Sequence, residues 1–284
     1  MILSIEGDEA TGKTSLAYSA PLPIVGFALD MGIERAIYGG RYNDLFKGLS
    51  INIVPYDKEP EGKTWGDADI TIFELPPPIQ LDSTLVVGNV ALWNYFIQLI
   101  AKALSDPQVM SIVVDTMTVA RRVKASAHLE TLQRAAFDQA GNRIPSANLR
   151  EQLIQIEYGK VNDSIRDVYT TAAGVRKNLI AVHHLTDERQ DVVGKDGKIE
   201  QALTGKRILE GLNGTHRFVD IALLTEKSGG EIKGKLLKDG YNLAQEGTVI
   251  ENPTWDIVAN LVSMGTGGRI ELDRREKAVE VSQS

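Results

Sequence analysis

Short apolar runs alternate with longer amphipathic stretches along this chain. Ile2-Leu3-Ser4-Ile5, Ile24 to Leu29, Ser111 to Asp115, Asn178 to Val182 and Val219 to Leu224 read as strands buried on both faces, as parallel strands are. Ile51-Asn52-Ile53-Val54 and Ile70-Thr71-Ile72-Phe73 look like shorter strands. Ser15-Leu16-Ala17-Tyr18 suits the start of a helix. Between Val90 and Leu104, the residues Trp93, Phe96, Ile97, Ile100 and Leu104 share one face at helical spacing. Further helices are expected from about Val119 to Asp138, after Ser146 (with Leu149, Leu153, Ile156, Ile165 and Val168 inward), and from Trp255 to Val262. Pro21-Leu22-Pro23, Pro76-Pro77-Pro78 and Asp106-Pro107 punctuate the pattern, because proline cannot donate to a sheet ladder and disfavours helix before it. The alternation predicts an α/β fold with a mainly parallel central sheet flanked by helices.

Two stretches break the alternation. Residues 185–217 are polar and charged, with a hairpin signal at Asp196-Gly197. Beyond the last clear strand, Gly229-Gly230 and a basic stretch to Lys238 read as another hairpin. The expected organisation is a core over 1–226, a small C-terminal hairpin and helix appendage over 227–264, and a flexible tail over 265–284.

The chemistry begins at the end of the first strand. Gly7-Asp8-Glu9-Ala10-Thr11-Gly12-Lys13-Thr14 is a complete G-x-x-x-x-G-K-[ST] phosphate-binding loop, set between a strand and a helix as that motif requires. Its backbone N–H groups and the positive end of the following helix would face the phosphates of ATP. Gly7 through Thr14, with Ser15, are therefore candidate nucleotide-binding residues. Lys13 would reach the β- and γ-phosphates, and Thr14 would hold Mg²⁺ through its hydroxyl.

Asp115 ends a second buried strand, where an aspartate can complete the Mg²⁺ shell or cap a helix. Glu34 and Asp30, in Asp30-Met31-Gly32-Ile33-Glu34-Arg35, are the candidates to position an attacking water, against a reading as solvated loop carboxylates. Glu34 is preferred because it sits in a Gly-containing loop. Glu6, on the strand itself, is the weaker candidate. His183 and His184 stand at a strand C-terminus, where open α/β sheets place ligands, and alternation puts them on opposite faces. His183 is taken as the γ-phosphate sensor, the alternative being one packed and one exposed histidine. Lys206 and Arg207 could complete a neighbouring subunit's site, contact a DNA phosphate, or simply be solvated.

Composition narrows the partners. Over 284 residues the formal charge is -7, which argues against wholesale nucleic-acid coating. Residues 185–217 hold six Lys/Arg against six Asp/Glu, so no basic patch stands out there. There is no cysteine, hence no disulfide or thiolate metal site. No membrane span or secretory leader is read, and a cytoplasmic location is expected.

Together the phosphate loop with its internal acidic residues, Asp30 and Glu34 after the second strand, Val113-Val114-Asp115-Thr116, and a histidine ending the later strand resemble RecA-type recombinases. Leu203-Thr204-Gly205-Lys206 followed by Val219-Asp220 is similar to small phage-encoded ATP-binding proteins of that class. The resemblance implies a RecA-like ATPase core, catalytic roles for Lys13, Glu34, Asp115 and His183, Mg²⁺ on Thr14 and Asp115, and ATP as cofactor. It also implies work in DNA recombination, annealing or replication, with single-stranded DNA and further copies of the chain in a ring or filament as partners. The chain opens directly on the first strand, so the N-terminal filament segment and the terminal DNA-binding domain of RecA-type proteins are not expected within these residues, and the residues for strand exchange are not carried over. A nucleotide-dependent switch with little turnover is the alternative. A nucleotide or small-molecule kinase is the third reading, disfavoured because 185–217 carries only Arg189, Arg207 and Arg217.

Overall fold

The computed structural model describes residues 1–39, 43–56, 65–81, 84–137, 141–144, 149–193 and 199–269. Strand β1 (Ile2–Gly7) runs through the phosphate loop into α1 (Lys13–Ala17), then β2 (Ile24–Ala28), α2 (Ile33–Tyr38), α3 (Asn43–Phe46), β3 (Ile51–Val54) and β4 (Ile70–Glu74). Next come α4 (Asn89–Ser105), β5 (Ser111–Asp115), α5 (Met117–Arg134), α6 (Tyr158–Gly174) and β6 (Asn178–His183). A hairpin of β7 (Leu185–Val193) and β8 (Ile199–Leu209) follows, then β9 (Ile221–Ser228), β10 (Glu231–Asp239), β11 (Val249–Glu251) and α7 (Trp255–Thr266).

Among the described residues nine strands form one sheet, in the order β11-β10-β9-β1-β6-β5-β2-β4-β3. The pairs from β9 to β3 are parallel, while β10 and β11 add antiparallel. Helices cover both faces. Ile2, Ile112, Val114, Leu179 and Ala181 pack with Phe96 of α4, Val123 of α5 and Tyr169 of α6. Their neighbours Leu3, Ile5, Val113, Ile180 and Val182 pack with Leu16 of α1, Ile37 of α2 and Val258 of α7. Because both faces are covered, the strands carry continuous apolar runs, and each buried aliphatic side chain contributes about 1.5–3 kcal/mol. This is the α/β arrangement expected from the sequence, with a mainly parallel central sheet flanked by helices.

The order sets up the site. Strand β6 lies between the phosphate-loop strand β1 and the Asp115 strand β5. The C-terminal ends of β1, β2, β5 and β6 share one edge of the sheet, so Gly7, Asp30, Asp115 and the two histidines gather there.

Several expected elements differ. Glu34 lies in the first turn of α2, not in a loop, since Ile33 and Ile37 bury one face of that short helix. The helix expected after Ser146 begins only at Tyr158. A 3-10 turn over Gln155–Glu157 leads into it, and Glu157 caps that turn, its Oε2 accepting from Ile154 N at 2.9 Å and from Arg150 at 2.7 Å. Ile156 is consequently 81% exposed rather than inward. Helix α5 ends at Arg134, and Asp138 lies outside the described residues. Residues 185–217 contain a long two-stranded ribbon, and the turn expected at Asp196-Gly197 falls outside the described residues. The boundary placed at 226 falls inside β9. The small appendage after it extends the same sheet, and Trp255, Val258 and Val262 of α7 join the core beside Leu16. Most of the expected tail, 270–284, lies outside the described residues.

Candidate functional site

The phosphate loop is anchored from beneath. Thr11 Oγ1 donates to Asp8 O at 2.8 Å and shares a 2.9 Å hydrogen bond with Thr225 Oγ1 of β9. Thr225 Oγ1 in turn donates to Glu6 O at 3.1 Å. Gly7 is required by this close approach: a Cβ there would stand 2.5 Å from Thr225 Oγ1 and 2.6 Å from Thr225 O. Ala10 and Gly12 take left-handed backbone at φ 57 and 80, which curls the loop. Helix α1 has only five residues, so an anion at this loop would be held by the loop N–H groups rather than by a long helix dipole.

Lys13 is buried, and its Nζ donates to Gly7 O at 2.9 Å and to Asp8 O at 2.5 Å. Burial lowers its pKa, and the surrounding carboxylates of Asp115, Asp8, Asp30 and Glu9 oppose that shift. Thr14 Oγ1 donates to Asp115 Oδ2 at 2.7 Å, closing a gap of 101 residues. Asp115 is 5% exposed. Burial raises its pKa to about 6 and the like charge of Asp30 adds to this, while the Thr14 hydrogen bond and Lys13 pull it down. An adjacent hydroxyl and carboxylate at a phosphate loop are hard oxygen donors of the kind Mg²⁺ takes alongside phosphate oxygens and water. Thr14 and Asp115 could therefore hold that ion. Ser15 is buried, and its hydroxyl donates to Ala36 O at 3.4 Å, leaving its backbone N–H as its possible contribution to phosphate binding.

A further carboxylate, Asp30, stands at this end of the sheet. Its backbone N–H donates to Asp115 O at 3.2 Å, and its charge acts on both Lys13 and Asp115. Glu34 is exposed on α2 and enters neither of those interactions. The two histidines also separate. His183 is 1% exposed, shares a 3.0 Å hydrogen bond with Tyr169 Oη, and burial lowers its pKa to about 3. That places it in the core under α6, away from the loop's mouth. His184 is half-buried, and its Nε2 stands 3.5 Å from Asp30 Oδ2. Its backbone N–H donates to Thr118 Oγ1 at 3.1 Å, at the start of α5. The geometry thus brings Lys13, Thr14, Asp115, Asp30 and His184 together, and leaves Glu34 and His183 outside.

Two contacts join the segment after β6 to the loop. Arg207 of β8 donates to Asp8 Oδ1 at 2.5 Å and to Leu185 O at 3.0 Å, within its own chain. Lys206 beside it is exposed. His216 Nε2 donates to Glu6 Oε1 at 2.5 Å, so this buried carboxylate, 3% exposed, is paired rather than free for catalysis. The hydrogen bond to Glu6 raises the pKa of His216, against burial. Thr225 escaped sequence reasoning altogether, since nothing local marks it. Glu6 carried a signal, as an acid inside an apolar strand. Among the described residues no cluster of three or more His, Cys, Asp or Glu side chains could hold a metal by itself, which leaves Thr14 and Asp115 as partial ligands.

No protein-family model matches this chain, and no curated protein does. Among solved structures it is similar to "Crystal structure of the RadB recombinase", at 11% identity and a TM-score of 0.43, over 88% of this chain and 85% of that one. A likeness at that level carries no chemistry across.

Proposed function

We propose that the chain is a Mg²⁺-dependent ATP-binding and hydrolysing protein. One observation carries the reading: Thr14, next to the loop lysine, is hydrogen-bonded to Asp115 at the end of the second-nearest strand. Two distant motifs that need one another for metal–phosphate chemistry meet in space. Lys13 would neutralise charge on the terminal phosphates, and Thr14 and Asp115 would hold the metal. Mg²⁺ when bound would polarise the phosphate oxygens. Asp30, rather than Glu34, would orient the attacking water, with His184 setting the direction of its carboxylate. Replacing Asp30 by Asn should lower turnover about a hundredfold, while Glu34→Gln should leave it within about twofold.

The cellular role we infer is DNA recombination, annealing or replication support, with single-stranded DNA and copies of the chain as partners in a phage-type setting. Support comes from the sequence resemblance and from the β7–β8 ribbon beside the loop. On that ribbon Arg189 and Lys206 are exposed, but among its described residues four acids (Asp187, Glu188, Asp191 and Glu200) outnumber three cations, so its charge adds no support of its own. A nucleotide-dependent switch with little turnover is the second reading, favoured by the half-exposed position of Asp30. No helix among the described residues is long and apolar enough to cross a membrane. The deciding measurement is steady-state ATP hydrolysis with Mg²⁺, with and without single-stranded DNA, against Lys13→Ala. Stimulation by DNA is expected. Binding without hydrolysis would move the protein to the switch class, and hydrolysis indifferent to DNA would remove the recombination role.

A further inference from the structure

The β7–β8 ribbon is not regular. Asp187 pairs with Arg207, but Arg189 pairs with Leu203, so Glu188 faces the longer stretch Thr204-Gly205-Lys206. Bulges of this kind re-aim side chains beside functional sites. Gly205 sits in it at φ +79, a conformation that L side chains rarely adopt, although a Cβ there would meet nothing within 4 Å. The constraint is the backbone angle, not space. Thr204 fixes the bulge, donating to Glu188 Oε2 at 2.7 Å and accepting from Lys206 N at 3.2 Å.

The re-aimed residue is Arg207. Its guanidinium spans two bodies: Asp8 Oδ1 on the phosphate loop, and Leu185 O with Asp187 Oδ1 (3.4 Å) on the ribbon. Asp8 is also the residue whose carbonyl oxygen holds Lys13 Nζ at 2.5 Å. The arginine is therefore tied to the same loop residue that holds the lysine, where a bound nucleotide would bring its terminal phosphate.

We propose that Arg207 distinguishes a nucleoside triphosphate from a diphosphate within its own subunit: a γ-phosphate beside Lys13 competes with Asp8 for the guanidinium, and the ribbon follows it. The inference rests on the phosphate-loop reading above and deepens it. An arginine fork favours phosphate oxygens because it can bond two at once, and the doubly charged terminal group outcompetes a half-exposed carboxylate. A diphosphate leaves Arg207 on Asp8. Since Leu185 directly follows the His184 end of β6, any shift of the ribbon base starts at the site.

The test compares affinities of the full chain for ADP and for a non-hydrolysable ATP analogue, each with Mg²⁺, in wild type, Arg207→Ala, Arg207→Lys and Asp8→Asn. Arg207→Ala should weaken the triphosphate analogue about tenfold and leave ADP unchanged, with partial rescue in Arg207→Lys. Asp8→Asn should tighten the triphosphate analogue by removing the competitor. Because the chain has no cysteine, Leu203→Cys gives a single label on the exposed ribbon. Its signal should change with the triphosphate analogue and not with ADP, and Arg207→Ala should abolish that change. Equal weakening of both nucleotides, or none, with an unmoved label would overturn the role of Arg207 alone. If wild type bound neither nucleotide and matched Lys13→Ala, the phosphate-loop reading would fall first and this inference with it.

Discussion

The sheet edge that carries the phosphate loop and the ribbon that leans on it are built in opposite ways. All six residues of β1 are buried, and its apolar side chains divide between the two packed layers, Ile2 in one and Leu3 and Ile5 in the other. The ribbon is almost entirely exposed, with Val193, Ile199 and Leu203 each more than half open to solvent. The first is positioned by hundreds of weak dispersion contacts that no single change can release. The second is held against the site by a few charged contacts, chiefly Arg207 to Asp8. A region fixed by packing suits chemistry, which needs sub-ångström placement. A region fixed by one exchangeable ion contact suits a part that moves.

The sharpest way to break this contrast is a single methyl group on the rigid side. Gly7→Ala would drive a Cβ into backbone and side chain of Thr225, and should cost about 3 kcal/mol along with most nucleotide affinity. Denaturant unfolding and nucleotide titration would check both. Next in size is a gain. Asp115 is a buried carboxylate whose ionised form is disfavoured, so Asp115→Asn should raise stability by about 2 kcal/mol and the melting temperature by several degrees, while Mg²⁺-dependent nucleotide binding falls.

Smaller again is the pH response. His183 stays neutral in the fold down to about pH 3, whereas the unfolded chain takes a proton near 6.5. The His183 contribution should therefore fall as pH drops below 6.5, by up to about 1.4 kcal/mol per pH unit, while Asp115, which takes up its proton near pH 6 in the fold against 3.8 in the unfolded chain, offsets it between those values, so the difference between wild type and His183→Gln isolates the histidine. His216 acts with the opposite sign. Its raised pKa supplies stability that is present below 6.5 and lost as pH rises through the folded value, and its partial exposure keeps that term small. Smallest is the ribbon itself: Leu203→Ser should change stability by less than about 0.5 kcal/mol, and a cost above 2 would show that the ribbon is packed after all.

Much of the sheet was legible in the sequence, because burial on both faces writes itself as continuous apolar runs. The loop over Gly7–Thr14 and the carboxylate of Asp115 stand out in the sequence because fixed spacing and a strand end mark them, and the fold brings Thr14 and Asp115 within a hydrogen bond. What escaped depended on contacts between distant residues, or on where an element ends. Glu34 could be preferred over Asp30 only while α2 went unrecognised, since its first turn swings Glu34 outward. Which way each histidine turns at the end of β6 could not be read locally either: His183 pairs with Tyr169 in the core, and His184 turns toward Asp30. Arg207 and Asp8 are 199 residues apart, and no local pattern in either stretch announces the other. The late start of α6 follows a turn capped by Glu157 reaching back to Ile154, a contact that apolar periodicity cannot see.

The crowd of acids around Lys13 has a consequence for the protein's lifetime. Asp8, Glu9, Asp30 and Asp115 surround one buried ammonium, and Asp115 and Asp30 repel each other. A cation and a polyphosphate arriving together would relieve that repulsion and fasten the loop, so occupancy would feed directly into resistance to unfolding. Chains without cargo would open more often and be degraded sooner. The amount of protein in a cell would then follow its nucleotide supply with no dedicated regulator, a form of quality control written into the binding site.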